Sequence, residues 1–440
     1  TSLVVLLGGY ALFGRGLAHV GAAPLYLGEA VLGLGVLSLA YTTDIKKLGP
    51  IHWFIIAFMV MGAARTIPYI PIYGIDAFRD GVMWGYAVFT FAVAFALKPA
   101  HFPKIVSMYG RALPFLLVWI PVAGMISRMG IVPPFPGSDT SLLGFKSGDM
   151  GVHLGGAAAF MILGLGGQMT LRPRSFGPLS WVVWLCGLAV AGLNRGAMLA
   201  AGIPLLLASS LSPHRLVPLF ATAVIVILLG LVFDVNIKLS DQDSRVISVE
   251  QFRANVSSIV SDKEDGLEGT KRWRKNWWDD IVAYTIHGPY FWTGKGFGIN
   301  LANEDGYQLF EDDSLRAPHN SHLNLLARMG VPGLSLWLLV QVSFGFAMSM
   351  AFFKAMRDGS QFWAGVNAWI VLYWLAMIVD MSVDPYLEGP QGGIWFWSVI
   401  GAGLAALSAQ RQGPAGDEAG RKAQSASAAH EHAGFLGEGS

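Results

Sequence analysis

Twelve apolar blocks, each near the length that crosses a bilayer, constrain this chain more than any other feature. They lie near residues 2–19, 24–42, 51–68, 82–98, 112–130, 151–170, 177–193, 196–211, 216–233, 332–354, 362–382 and 392–410. A helix needs about 20 apolar residues to span the hydrocarbon core, and only helices or closed barrels satisfy their backbone groups there. The blocks are continuous rather than alternating, which selects helices. Composition agrees: 53% of the 440 residues are hydrophobic and 13% are charged, against about 25% charged in ordinary soluble domains. The mean hydropathy is +0.50. The expected fold is an all-α polytopic membrane protein with about twelve transmembrane helices. The formal net charge of +1 gives no global case for nucleic acid as a partner. A single cysteine, Cys186, makes no internal disulfide and no Cys-rich metal framework. The chain opens at Thr1 in an apolar run without a basic leader, which reads as a mature span rather than a signal peptide.

Orientation follows from the basic residues. Alternate connections carry Lys46 and Lys47; Lys98, Lys104 and Arg111; Arg172 and Arg174; Arg215; and Lys354 and Arg357. That set, together with the tail after Arg411, is expected on the cytoplasmic side. The connection bearing Asp380, Asp384 and Glu388 is acidic and falls on the other side. Four regions result: spans 1–9 over 1–233, a large mostly helical periplasmic loop over 234–320, spans 10–12 over 321–410, and a Gly/Ala/Ser-rich cytoplasmic tail over 411–440 expected to be disordered. The loop carries Trp273, Trp277, Trp278 and Trp292, and its clearest helix covers 275–287. Those tryptophans read as an interfacial belt, with stacking on sugar rings as the alternative.

Three elements on the outer side could carry chemistry. Arg195 sits in GLNRGAML, a tight connection between two spans. Asn194 is placed to cap the next helix, so the guanidinium and the positive helix end would point the same way, a geometry suited to phosphate. The competing reading is an arginine snorkelling from a helix end. Arg272 and Arg274 sit in TKRWRKNWW. They belong either to a solvated basic surface helix or to a bidentate phosphate grip. His319 sits in RAPHNSHLNLLARMGVPGL, where Asn320 or Ser321 can cap a helix and Gly330 and Gly333 mark a bend or close packing. A histidine held at a wet helix start suits a general base; a capping role is the plainer reading. His322 raises a metal pair, disfavoured without a nearby cysteine or carboxylate partner. Asp279–Asp280 and Glu311–Asp313 read as solvated faces, and GKGFGIN at 294–300 lacks the strand–helix context of a nucleotide loop.

With those residues in view, PHNSHLNLLARMGVPGL resembles the His-Asn signature of the O-antigen ligase and polymerase superfamily. RKNWWDDIVAYTIHGPYFWTGKGFG resembles its Arg-x-x-x-Trp segment followed by a helix, Pro and Gly-x-Gly. Arg274 keeps the offset to Trp278, with Pro289, Gly294 and Gly296 in step; Arg272 does not. NRGA at 194–197 is similar to the superfamily's Arg-Gly element. The resemblance implies an O-antigen ligase: a glycosyltransferase of the bacterial inner membrane, with its active site facing the periplasm, serving lipopolysaccharide biosynthesis. It would join polysaccharide carried on undecaprenyl pyrophosphate to a sugar hydroxyl of lipid A-core, inverting the anomeric centre, without a metal or other cofactor. His319 would be the catalytic base, Arg195 and Arg274 would bind the donor pyrophosphate, and Asn320, His322 and Arg272 stand as supporting candidates. His322 departs from the pattern, where relatives often carry an aromatic or aliphatic residue. An O-antigen polymerase or a protein O-oligosaccharyltransferase is the nearest alternative. A lipid-linked glycan transporter is a more distant one, with no inverted repeat to support it, and a structural membrane scaffold leaves the His-Asn pair unexplained.

Overall fold

The computed structural model describes residues 2–22, 25–42, 48–134, 141–165, 177–238, 246–260 and 268–411. The tail beyond 411, and the basic residues Lys46, Lys47, Arg172 and Arg174 used for orientation, lie outside the described residues. The fold is predominantly helical. In chain order the helices are α1 (Ser2–Phe13), α2 (Leu27–Thr42), α3 (Pro50–Thr66), α4 (Ile70–Tyr73), α5 (Ile75–Gly85), α6 (Val88–Ala96), α7 (His101–Met129), α8 (Ser147–Leu163) and α9 (Pro178–Ala191). There follow α10 (Arg195–Leu211), α11 (Leu216–Val232), α12 (Val249–Val260), α13 (Glu268–Thr285), α14 (Leu301–Glu304), α15 (Ser321–Arg357), α16 (Gln361–Met381) and α17 (Pro390–Arg411). Among the described residues, sheet is limited to two antiparallel pairs of two-residue strands.

Among the described residues each apolar block is largely helical, and six helices are long and apolar enough to cross a membrane. These are Pro50–Tyr73, His101–Met129, Pro213–Val232, Ser321–Arg357, Gln361–Met381 and Pro390–Arg411. Shorter apolar helices cover Ser2–Phe13, Leu27–Ala40, Pro178–Ala191 and Arg195–Leu211. An apolar run and a helix need not coincide in length: the block at 82–98 is divided by a turn between Gly85 and Val88.

Helix α8 is the axis of the packing. Its residues Ser147–Ile162 are all buried, because small side chains let neighbours approach closely. A Cβ on Gly151 would lie 2.4 Å from the Ala197 carbonyl of α10, and one on Gly156 would overlap Tyr373 of α16. By contrast α11 is apolar and mostly exposed, a lipid-facing surface.

The stretch 268–320 builds a small core against the start of α15. Trp277 is fully buried there with Ile281, Leu301 and Leu326, stacks on Tyr307 at 5.3 Å, and donates from Nε1 to Asp305 at 2.7 Å. Of the four tryptophans expected at an interface, this one is therefore core; Trp292 is exposed.

Helix α15 is broken at Gly330, where φ is +67° and ψ −170°. Only glycine adopts that conformation readily. A Cβ there would also meet the Phe291 carbonyl at 2.4 Å. In an unbroken helix residues 322 and 337 would be about 22 Å apart. Here Trp337 Nε1 donates to His322 Nδ1 at 3.0 Å. The break folds the 321–329 segment back, bringing the His-Asn stretch level with Trp337.

Candidate active site

The start of α15 is fixed by one amide acting twice. Asn320 Oδ1 accepts from the Leu323 N–H at 3.0 Å, the N-cap bond expected from the sequence. Its Nδ2 donates to the Ser382 carbonyl at 2.9 Å. Just upstream, Trp278 Nε1 donates to the Pro318 carbonyl at 2.7 Å. Between these two anchors His319 is held at φ +54°, in the left-handed region. For a non-glycine residue this costs on the order of 1–3 kcal/mol and marks an over-determined position. The imidazole is part-exposed, and its Nδ1 faces Asp384 Oδ1 at 3.6 Å, just beyond hydrogen-bond length.

The turn 382–384, between α16 and α17, gathers the candidates. Arg274 of α13 donates from Nη1 to the Val383 carbonyl at 3.1 Å. Gly196 lies so close to Val383 that a Cβ on it would come within 2.5 Å of the valine side chain. Asn194 Oδ1 accepts from the Gly196 N–H at 2.9 Å, capping α10 as the sequence suggested. Arg195, the first residue of α10, stands between these contacts and is part-exposed. The turn thus meets Arg274 and His319 directly, and reaches Arg195 through its neighbour Gly196.

The supporting candidates separate. Asn320 positions the helix start. Arg272 is exposed; residues two apart on a helix do not share a face, so it looks away when Arg274 reaches the turn. His322 faces α16 rather than the turn, and its Nδ1 is already accepting from Trp337.

Two residues beyond the expected set complete the site. Asp384 stood out in the sequence only as part of an acidic connection. Lys146, at the start of α8, approaches Asp384 Oδ2 at 3.6 Å. Burial pushes the Asp384 carboxyl up, but the His319 imidazole, Lys146 and Arg15 outweigh burial and hold it below the usual carboxylate range. Glu388 goes the other way: burial pushes it up, although Ser321 Oγ and Asn324 Nδ2 each donate to it at 2.8 Å. The long separation between these positions leaves no local signal that could have flagged Lys146.

A second polar hub ties Gly298, Arg316 and Arg328 to α5. Asp80 of α5 accepts from Arg316 Nη2, Arg328 Nη1 and the Gly298 N–H at 3.0, 3.0 and 3.1 Å. Arg328 is fully buried and also bonds Asn324 Oδ1 at 2.9 Å. The glycines of GKGFGIN are packed turn residues here: a Cβ on Gly294 would strike the Arg328 backbone, and one on Gly296 the Tyr69 ring. Among the described residues, no three His, Cys, Asp or Glu side chains are grouped to hold a metal ion.

Residues 180–338 match the family model described as O-antigen ligase. A comparison with curated proteins finds no match. The matched segment contains Arg195, Arg274 and His319 and ends before the turn at 382–384.

Proposed function

We propose that the O-antigen ligase segment, residues 180–338, and the turn at 382–384 together form a glycosyl-transfer site on the periplasmic face of the bacterial inner membrane. The donor is polysaccharide on undecaprenyl pyrophosphate, and the acceptor is a sugar hydroxyl of lipid A-core. In this reading the four shorter apolar helices, α8 and the divided 82–98 block bring the crossings to about twelve, and the stretch 234–320 caps the outer side.

The observation that carries the proposal is the meeting of His319, Arg274 and the Arg195–Gly196 element at one turn. With Nδ1 turned to Asp384, His319 keeps Nε2 for the acceptor. As the acceptor oxygen attacks the anomeric carbon, its proton passes to Nε2. The new C–O bond forms while the bond from the anomeric carbon to the pyrophosphate oxygen breaks. The electron pair leaves on the pyrophosphate, and attack from the opposite face inverts the centre. Two guanidinium groups neutralise the charge that develops there, each able to offer two parallel N–H donors. A positioned base contributes about 10²–10⁴-fold. The donor's own phosphoester bond supplies the driving force.

Reconstitution of the purified chain with lipid-linked donor and, separately, lipid A-core, unmodified polymer and a Ser/Thr peptide tests the reading. Product on lipid A-core is expected. Product only on polymer or peptide makes the chain a polymerase or a protein glycosyltransferase. The His319→Ala variant should insert normally and transfer nothing; transfer at the wild-type rate removes the base assignment.

A further inference from the structure

Below the 382–384 turn a groove of about 460 Å³ runs between α15 and α16. His322 and Ile378 close its upper end. That end adjoins the site: the Ile378 carbonyl accepts from Ser382 Oγ at 3.0 Å, and the Ser382 carbonyl accepts from Asn320. Trp337 and Trp374 line it, with Gln341 between them. Val342 and Phe346 also line it and are each 68% exposed, so the groove opens sideways toward lipid.

We infer that this groove seats the polyprenyl chain of the lipid-linked donor, an inference that rests on the glycosyl-transfer reading above. Three observations select that occupant. The groove descends from the turn where the pyrophosphate would bind, so a chain attached to it reaches the groove directly. A slot between two helices takes one chain, whereas the several acyl chains of a lipid A would straddle it. Gln341 is 5% exposed; its Oε1 accepts from Trp374 Nε1 at 2.9 Å, while its Nε2 has no hydrogen-bond partner among the described residues. An unpaired N–H in an apolar setting is costly. The double bond repeated in every isoprenoid unit is a weak acceptor for such a donor and lies well against indole faces; a saturated chain offers neither.

Two measurements on the full chain in phosphatidylethanolamine/phosphatidylglycerol nanodiscs test this. The first uses a polyprenyl phosphate with a photoreactive group in its chain. Crosslinks are expected within 338–346, displaced by excess polyprenyl phosphate and not by an alkyl phosphate of equal length. Crosslinks scattered elsewhere, or equal displacement by the alkyl phosphate, overturn the inference. The second uses Val342→Trp, which fills the groove from its exposed rim without entering the packed core. KM for a long-chain donor should rise about tenfold with kcat nearly unchanged, and KM for a donor truncated to two isoprenoid units should not move. Leu206→Trp, at an exposed position on α10, is the control and should behave as wild type. An unchanged KM in Val342→Trp, or a rise in KM for lipid A-core instead, overturns the inference. Crosslinking in the groove without transfer by the wild type would remove the enzymatic reading and leave the groove assignment; transfer without crosslinking there would do the reverse.

Discussion

The Nδ1 of His319 and the Oδ1 of Asp384 face each other at 3.6 Å, one from the residue preceding the α15 cap and the other from the connection between α16 and α17. A carboxylate in that position selects the tautomer with the proton on Nδ1 and steadies the imidazolium that forms when Nε2 takes a proton. The left-handed backbone at His319 directs the ring there.

Asp384→Asn keeps the shape and removes the charge. Transfer should fall by about 10²–10⁴-fold in kcat, with little change in donor KM. Steady-state kinetics with purified donor and acceptor decide it, and a rate within about threefold of wild type would show that the carboxylate does not serve His319.

Arg274→Lys should lower kcat/KM for the donor by about 10–100-fold, since a lysine cannot offer two parallel donors to a phosphate. Arg195→Lys should behave similarly. Arg272→Lys should transfer at the wild-type rate, because Arg272 is exposed and turned from the site. Equal losses in all three would indicate a diffuse electrostatic effect rather than a phosphate grip.

Much of this arrangement is legible in the sequence because it is local. Apolar blocks land largely on helices; Asn194 and Asn320 cap the helices they precede; Gly330 bends α15. What the sequence hides depends on distant parts of the chain. Asp384 and Lys146 have no motif, and their meaning arises only when α8 and α16 pack together. The burial of Trp277 depends on Leu301 and Leu326, so its aromatic character alone suggested a membrane belt. The division of the 82–98 block is equally invisible, since its turn residues are as apolar as their neighbours.

Lys146→Met tests the electrostatics through pH. In the wild type the Asp384 carboxyl is held below its ordinary value. Its contribution to stability is therefore present above about pH 4 and is lost only as pH falls through the depressed native value. Removing the Lys146 ammonium brings the native value closer to the unfolded one, so Asp384 contributes less stability and less is lost on acidification. Thermal unfolding measured from about pH 3 to about pH 6 should show a shallower acid loss in the variant than in the wild type. Superimposable curves would mean that Lys146 does not act on Asp384.

Gly330→Ala should misplace the whole His-Asn segment. The φ of +67° alone costs about 1–3 kcal/mol for a residue with a Cβ, and that Cβ would press on the Phe291 carbonyl. Loss of transfer with Trp337 fluorescence altered is expected, since the His322–Trp337 contact spans the break. Full activity in this variant would show that the fold-back is not needed for catalysis.

The connection that seats both Arg274 and His319 lies between α16 and α17, well downstream of everything it organises. During synthesis the imidazole and both guanidinium groups emerge long before the carboxylate. A ribosome-bound chain lacking α16 and α17 therefore carries the reactive groups without the strut that aligns them. The arrangement around the 382–384 turn can therefore close only after α16 and α17 have been made.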